Sequence, residues 1–588
     1  MGGGSPLRRF CGDEVLMRAD PIKFEVVRNA LVEATEEMAV TLRRSAYSTN
    51  IKTRADFSCA FFDCQLRPVA QAFTQPVHLG SLAILVPRAV RQYGAENMGP
   101  GDGVLVNDPY LGGSHLNDIT LISPVYCGAE QLGYVANLAH HVDVGGGAPA
   151  SIGAFREVFQ EGIVIPPVKL VRGGELVGDV FDLVLAQIRS KGETAGDFRA
   201  QVAANTTGAR RLGELVEREG LETVRGYMEQ LLGYTAERME SEIGRLPQGC
   251  FTAEGVVDSD GFTDQPVRLQ AAITIDDSGV LFDLSGCDPQ RRAPVNSTYA
   301  QTFAACAYVL KCLTDPDVPV NEGFYRLVRL VAPEGTVVNA RAPAPVVGGW
   351  ETQVRLSDIL LKALAQVMPE RVPAGTKAMM CQVGFGGQDP ATGELYAFYE
   401  TVAGGYGGRQ GRDGPDAVQC HGQNTENAPI EEIELNYPLR ITRYELIDGS
   451  GGPGCWRGGL GLRRDYLFPD NEVSFTILAD RERWGPWGLE GGDSGERARY
   501  ILQEEDGGEE ELGSKTTLQL KPGQVVSYRT CGGGGFGPAR QRDPQLVGQD
   551  VRQGKVSVDQ ARSQYGVVAD AAGQVDLAAT ERLRQAGE

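Results

Sequence analysis

The stretch Val106-Asn107-Asp108-Pro109-Tyr110-Leu111-Gly112-Gly113-Ser114-His115-Leu116-Asn117-Asp118-Ile119-Thr120-Leu121-Ile122 changes character twice. It leaves a short apolar run at Val104-Leu105-Val106, crosses a polar loop with paired glycines, and re-enters an apolar run at 119–122. Short apolar runs bounded by Gly, Pro, Asn and Asp read as strands joined by loops. The next run, Tyr134-Val135-Ala136-Asn137-Leu138, ends in Ala139-His140-His141-Val142-Asp143-Val144-Gly145-Gly146-Gly147. If the two strands pair antiparallel, the start of the first lies beside the end of the second. His115 and Asp118 then meet a histidine from the end of the next strand.

The chain has 5 histidines: His78, His115, His140, His141 and His421. A lone H-x-x-D spacing also occurs in ordinary loops. Two clusters brought together by strand pairing point to a metal. Imidazoles with carboxylates form a mixed N/O donor set that suits Zn²⁺, Mn²⁺, Fe²⁺ or Co²⁺. Successive strand residues face opposite sides of a sheet, so only one of His140 and His141 is a ligand. The residues alone leave that choice open.

Working outward, 20–44 reads as a helix. Asp20 is placed to cap it, Pro21 suits its first position, and Phe24, Val27, Leu31, Ala34, Met38 and Leu42 form one stripe. Asn50-Ile51-Lys52-Thr53-Arg54-Ala55-Asp56 reads as a polar helix-to-strand connection, and from there to 183 the pattern is strands and loops. A helical hairpin follows at 197–246, broken near Glu219-Gly220. A strand hairpin is expected at 267–275 and 280–284, and helices at 299–312 and 355–367. From 375 to 540 glycine clusters dominate. The tail opens a short helix with a capping box at Ser557-Val558-Asp559-Gln560. The fold class is α+β: a mixed, strand- and loop-rich multidomain chain with a helical hairpin near 197–246. Its expected parts are a metal-site α/β region (1–195), the hairpin (196–250), an α+β region (251–375), a Gly-rich, mostly β region (376–545) and a helical tail (546–588).

Composition narrows the function. With 588 residues and 42% hydrophobic content, the chain can bury a large core. Its 76 glycines are roughly twice the usual share of about 7%. A net charge of −21 argues against nucleic acid or an anionic membrane as partner. The 12 cysteines form no C-x-x-C, which suits reduced thiols in a cytoplasmic protein. The first residues hold no signal-like apolar stretch, Pro6 spoils a myristoylation match, and no run is apolar enough to span a membrane.

Weaker candidates lie elsewhere. Glu161, in Gln160-Glu161-Gly162, is an acid–base candidate set against a plain surface turn. His421-Gly422-Gln423-Asn424-Thr425-Glu426-Asn427 concentrates hydrogen-bonding groups, and His421, Asn424 and Thr425 suit polar substrate recognition. The run Gly532-Gly533-Gly534-Gly535 lacks the Lys and Ser/Thr of an ATPase phosphate loop.

From about residue 21 to 568 the chain resembles the hydantoinase B/oxoprolinase family. The resemblance rests on Ser48-Thr49-Asn50-Ile51-Lys52-Thr53-Arg54-Ala55-Asp56-Phe57-Ser58-Cys59, on Pro76-Val77-His78-Leu79-Gly80, and on the His115 and His140 stretches quoted above. It continues through Gln160-Glu161-Gly162, Asn424-Thr425-Glu426-Asn427, Tyr437-Pro438-Leu439-Arg440, Trp456-Arg457-Gly458-Gly459-Leu460-Gly461 and Gly532-Gly533-Gly534-Gly535-Phe536-Gly537. It implies one divalent metal held by Asp56, His115, Asp118 and His140, which brings in Asp56 and chooses His140. His141 or Asp143 would then orient a ligand or move a proton. It also implies a hetero-oligomer with an actin-like ATPase A subunit that binds ATP and Mg, hydrolysing a small cyclic amide such as hydantoin, N-methylhydantoin, 5-oxoproline or a related lactam. Two rival readings are a ketone carboxylase subunit of the acetone or acetophenone type, and a non-catalytic scaffold with a structural metal.

Overall fold

The computed structural model describes residues 20–276 and 278–586. The first 19 residues, where no signal stretch or myristoylation match is expected, and Asp277 lie outside the described residues. The architecture is α+β, with helices packed around four sheets among the described residues.

The first sheet holds β1 (Phe57–Asp63), β2 (Pro68–Gln71), β3 (Gly103–Val106), β4 (Asp118–Cys127), β5 (Glu130–His140), β6 (Val168–Arg172) and β7 (Glu175–Leu176), in the order β2-β1-β5-β4-β3-β6-β7. The β4–β5 hairpin is antiparallel with Asp118 opposite His140 and Ile119 opposite Ala139. Strand alternation then sorts the core. Phe57, Cys59, Phe61, Val135 and Ala139 face α1 (Pro21–Ser45) and its stripe Val27, Leu31, Met38 and Leu42. Each fully buried Leu of that stripe contributes roughly 2 kcal/mol. Asp20 caps α1 by accepting from the Ile22 amide at 3.0 Å.

The short α2 (Thr49–Lys52) connects α1 to β1. On the opposite face, Ala60, Phe62, Ala136 and Leu138 pack against Leu82, Leu85, Val86 and Ala89 of α3 (Pro76–Tyr93). This helix corrects the sequence reading, which ran strands and loops through it. Pro87 and Gly80 inside it mimic breaks. Gly80 marks a close crossing rather than a turn, because a Cβ there would meet the Ala304 backbone at 2.7 Å.

After α4 (Gly178–Leu185), the helical hairpin is α5 (Lys191–Glu219) and α6 (Leu221–Ile243), with Gly220 at φ 86 between them. Buried amides dock α5 on the hairpin strands. Asn137 Nδ2 donates to Gln201 O at 2.9 Å, and Asn205 Nδ2 donates to Leu121 O at 3.0 Å.

The second sheet comprises β8 (Gly249–Val257), β9 (Val267–Asp276), β10 (Gly279–Asp283) and β11 (Val328–Val331). Its core is shared with α7 (Tyr299–Leu313), α8 (Glu322–Tyr325) and α9 (Gly349–Leu364). The helix expected at 355–367 therefore starts six residues earlier. Glycines at 348 and 349 are poor helix formers, which hides the true start. In fact both glycines press on backbone, with a Gly348 Cβ falling 1.7 Å from Pro294 O, and α9 begins among them.

Further on, β12 (Gln382–Gln388) and β13 (Leu395–Thr401) belong to a third sheet with Val473–Leu478 and Lys515–Leu520. A fourth, five-stranded sheet is built from Arg440–Leu446, Leu462–Leu467, Val525–Arg529, Arg499–Gln503 and Glu509–Leu512. Between these sheets the glycine clusters run backbone to backbone. Gly408 N donates to Gly534 O, Gly452 N to Gly533 O and Gly533 N to Gly459 O, each at 2.8 Å. The tail is helical at Pro544–Arg552, Val558–Ser563 and Leu577–Gln585, with the Ser557/Gln560 capping box formed. Among the described residues no helix is long and apolar enough to cross a membrane.

Candidate metal centre

The β4–β5 register places Asp118 and His140 side by side on the α3 face of the sheet. The loop before β4 brings His115 to them. Asn107 Nδ2 donates to Leu116 O at 2.7 Å, Asn117 Nδ2 donates to His141 O at 2.9 Å, and Thr298 Oγ1 donates to Gly113 O at 2.8 Å. Asp56 arrives because it precedes β1, whose Phe57 pairs with Ala139; the His140 amide donates to Asp56 O at 3.0 Å.

His115, Asp118 and His140 offer one ligand atom each within 4.8 Å of one another, all buried. His115 Nε2 lies 3.2 Å from Asp118 Oδ1. Both His115 ring nitrogens, Asp118 Oδ1 and His140 Nε2 are nevertheless buried without a hydrogen-bond partner. Groups left so cost about 1–3 kcal/mol each. The donors converge at ligand-to-ligand spacing and are orphaned otherwise, so the set fits a divalent cation. Asp56 stands just outside this compact trio. Across the gap is His78 of α3, with Nε2 3.7 Å from Asp56 Oδ1 and 3.9 Å from Asp118 Oδ1.

The protonation states suit a cation. Burial works against the Asp118 carboxylate, but His115 and His78 hold it well below the usual carboxylate range. Burial, with His115 adding to it, pushes His140 well below the ordinary imidazole value and leaves it neutral. Ionised carboxylate and neutral imidazole are the ligand forms. Burial raises Asp56, opposed by His78 and Arg54.

Around the trio stand groups the sequence reading did not single out. The Tyr399 ring stacks on His140 at 4.4 Å and 13°. Trp350, at the start of α9, lies 6.0 Å from the His115 ring. Ser114 Oγ donates to Asp118 Oδ2. Asn50 Nδ2 lies 3.0 Å from His140 Nδ1, and Asn50 Oδ1 accepts from Arg54 Nη1 at 3.0 Å. Arg54, fully buried, also donates to Thr401 Oγ1 at 2.7 Å. Tyr399 and Trp350 carried no local signal, since long-range packing alone brings them here.

The remaining sequence candidates lie apart from the trio. His141 faces α5: its Nε2 is 3.0 Å from Gln201 Oε1 and its ring packs on Phe198 at 4.6 Å. Asp143 Oδ1 accepts from the Gly145 amide at 2.7 Å and forms an ion pair with Arg189 at 3.2 Å, fixing the glycine loop. His421 Nε2 lies 3.2 Å from Asp358 Oδ1 on α9 and 2.9 Å from Thr376 Oγ1. Thr425 Oγ1 reaches Thr401 Oγ1 at 3.2 Å, one side chain from Arg54. Asn424 is exposed, its amide donating to Gln75 Oε1 at 2.6 Å.

Glu161 Oε1 accepts from the Val346 and Val347 amides at 2.7 and 2.8 Å, so it pins the segment that leads into Trp350. Burial pushes its carboxyl up from 4.5 to about 8. A raised carboxyl keeps its proton in the folded state after the unfolded chain has lost its own. The wild-type chain should therefore lose stability as pH rises from about 4.5 to 8, by up to roughly 5 kcal/mol through this group. Glu161→Gln is expected to match wild type near pH 5 and to exceed it above pH 8. Unfolding curves at both pH values check this, and parallel pH profiles would refute it.

A family model described as hydantoinase B/oxoprolinase matches residues 20–539. A putative D-/L-hydantoinase subunit of Pseudomonas sp. (strain NS671) is 33% identical, covering 97% of this chain and 99% of its own. The crystal structure of ATP-dependent caprolactamase from Pseudomonas jessenii is similar at a TM-score of 0.90 and 32% identity, over 97% of this chain and 100% of that one. Nucleotide-free acetone carboxylase reaches a TM-score of 0.89 at 20% identity, over 96% of this chain and 83% of that one, a likeness of fold alone.

Proposed function

The chain belongs to the hydantoinase B/oxoprolinase family, and on that premise we propose that it is the metal-site half of an ATP-dependent cyclic-amide hydrolase. Its substrate is hydantoin, N-methylhydantoin, 5-oxoproline or a similar lactam. The observation that carries this is the buried, orphaned donor set of His115, Asp118 and His140 in a chain that the family model covers from 20 to 539. ATP and Mg then belong to an actin-like A subunit in a hetero-oligomer, and the reading places the pair in the cytoplasm.

An unactivated lactam is a poor electrophile. Transfer of the ATP γ-phosphate to its amide oxygen on the ATPase partner, with release of ADP, makes the ring carbon reactive. Water adds there, the C–N bond opens as the nitrogen takes a proton, and the resulting acyl phosphate is hydrolysed to carboxylate and phosphate. His115, Asp118, His140 and Asp56 would hold a Zn, Mn, Fe or Co ion here, which when bound supplies Lewis acidity and a water of lowered pKa.

The chain's own groups do the rest. Tyr399 and Trp350 wall the centre with aromatic surface and exclude bulk water. Arg54 anchors Asn50, which lies against His140, and Ser114 orients Asp118. Arg54 also places a buried positive charge beside Tyr399 and Asp56 at the edge of the centre. His141, Asp143 and Glu161 are held by Gln201, Arg189 and the 346–347 amides, and on this reading they position the loops around the centre. Thr425 reaches the centre through Thr401 and Arg54, while His421 is buried against Asp358 of α9 and Asn424 lies exposed on the same loop.

The test is reconstitution with an actin-like A subunit and a panel of lactams and hydantoins. Ring opening is expected to require both proteins, ATP and the divalent ion, and chelation should stop it. Bicarbonate-dependent ATP use with a ketone, and no lactam turnover, would replace this reading with that of a carboxylase component.

A further inference from the structure

We propose that His78 is a fifth protein ligand of this centre, so that the ion is held by two carboxylates and three imidazoles. The inference rests on reading the cluster as a metal centre, and it concerns a histidine that neither motif spacing nor the four-residue set includes.

His78 is fixed before any ion binds. It lies in the first turn of α3, whose start is pinned from two sides. Its own amide donates to Gln75 O at 3.1 Å, and the neighbouring Val77 amide donates to Gly422 O at 3.4 Å. The side chain is 3% exposed and points into the centre. Its Nδ1 has no hydrogen-bond partner. Its Nε2 sits 3.7 Å from Asp56 Oδ1 and 3.9 Å from Asp118 Oδ1.

Both separations are too long for hydrogen bonds. They match two donors that share one ion: metal–ligand bonds of about 2.0–2.2 Å put neighbouring donors roughly 3–4 Å apart. The same spacing, 3.2 Å, relates His115 Nε2 to Asp118 Oδ1 without hydrogen-bond geometry. His78 is also the group that connects Asp56 to the compact trio. Like Asp56, His78 stands outside the trio whose ligand atoms lie within 4.8 Å of one another, so small side-chain shifts close both onto the ion. The rings of His78 and His115 lie 5.9 and 6.0 Å from the Trp350 ring, so both imidazoles stand against one apolar wall that shields them from competing water.

Five protein donors have a consequence for the metal. A tetrahedral ion has room for only four. An Asp₂His₃ set fills five positions of an octahedron and leaves one for water or substrate, which favours Mn²⁺, Fe²⁺ or Co²⁺ over Zn²⁺.

The experiment uses the full chain stripped with chelator, with His78→Ala, His78→Gln and His115→Ala beside wild type. Affinity for Co²⁺ and Mn²⁺ is read by competition with a chromophoric chelator, coordination number by the visible bands of the Co²⁺ form, and folding by metal-free thermal unfolding. His78→Ala is expected to weaken both ions by about 10-fold or more and to intensify the Co²⁺ bands as a donor is lost. Should that variant fail to fold, His78→Gln carries the same comparison. Wild-type affinity and an unchanged Co²⁺ spectrum in the folded His78 variant, with His115→Ala emptied, would overturn the proposal and leave the metal centre standing. Wild-type binding in His115→Ala as well would overturn the metal centre itself.

Discussion

His115→Ala is expected to yield a folded chain that retains no ion and supports no lactam turnover above background with any ATPase partner. His115 is fully buried, neither ring nitrogen has a hydrogen-bond partner, and its Nε2 faces Asp118 Oδ1 at 3.2 Å, so the ring serves the centre. Its removal acts twice. One donor of the compact trio disappears, and Asp118 loses the strongest attraction holding its carboxylate ionised against burial. A carboxyl so buried is then easier to protonate, and a proton competes with the ion for it. A direct donor lost and a second one weakened should cost well over 100-fold in metal affinity, beyond what loss of an orienting group costs. The fold should survive, because the loop is held by Asn107, Asn117 and Thr298 rather than by the imidazole. Elemental analysis and a lactam assay on the reconstituted pair read the result. Full turnover with one ion per chain would sink the assignment.

How much of this centre the sequence disclosed follows the range of each contact. His115, Asp118 and His140 were legible because one hairpin joins them: β4 and β5 are adjacent, and Asp118 pairs with His140 through a local register. The strand period separated His140 from His141 but left open which of them faces the centre, and the family resemblance supplied His140. Asp56 was not legible from spacing. It depends on β1 pairing with β5 across some eighty residues of chain, and the polar run before it looks like any helix-to-strand connection. His78 was hidden for a different reason. Its helix carries Pro87 and Gly80, which on a sequence are punctuation, while in the fold Gly80 is a crossing point with α7. Trp350 and Tyr399 lie hundreds of residues away and are brought in by α9 and β13, where nothing local marks them. The helical hairpin, by contrast, rests on a 3.6-residue pattern and a Gly220 break, both readable without tertiary context.

Gly533→Ala should be a severely damaging single methyl, giving insoluble chain or a loss upwards of about 4 kcal/mol. Gly533 does not occupy the left-handed region, so the argument is steric. A Cβ there would fall 2.0 Å from Tyr406 O and 2.3 Å from Tyr406 C, both backbone atoms with no rotamer to yield. Nor can the segment step aside. Gly533 N donates to Gly459 O and its carbonyl accepts from Gly452 N, each at 2.8 Å, so it is clamped on two further sides. Its neighbour Gly534 donates to Gly375 O at 2.8 Å, just before Thr376, Lys377 and the contacts that reach His421 and Asp358. Displacing 532–535 would thus loosen the packing behind α9, the helix that presents Trp350 to the centre. Ordinary overpacking costs about 1–3 kcal/mol because side chains adjust; backbone on every side removes that adjustment. Gly213 on α5 makes the contrast, since nothing lies within 4 Å of its absent Cβ. There the same substitution should stabilise by about 0.5–1 kcal/mol through helix propensity. Soluble yield and chemical unfolding of the two variants check the pair, and a Gly533→Ala chain as stable as wild type would show that the glycine array bends where its geometry says it cannot.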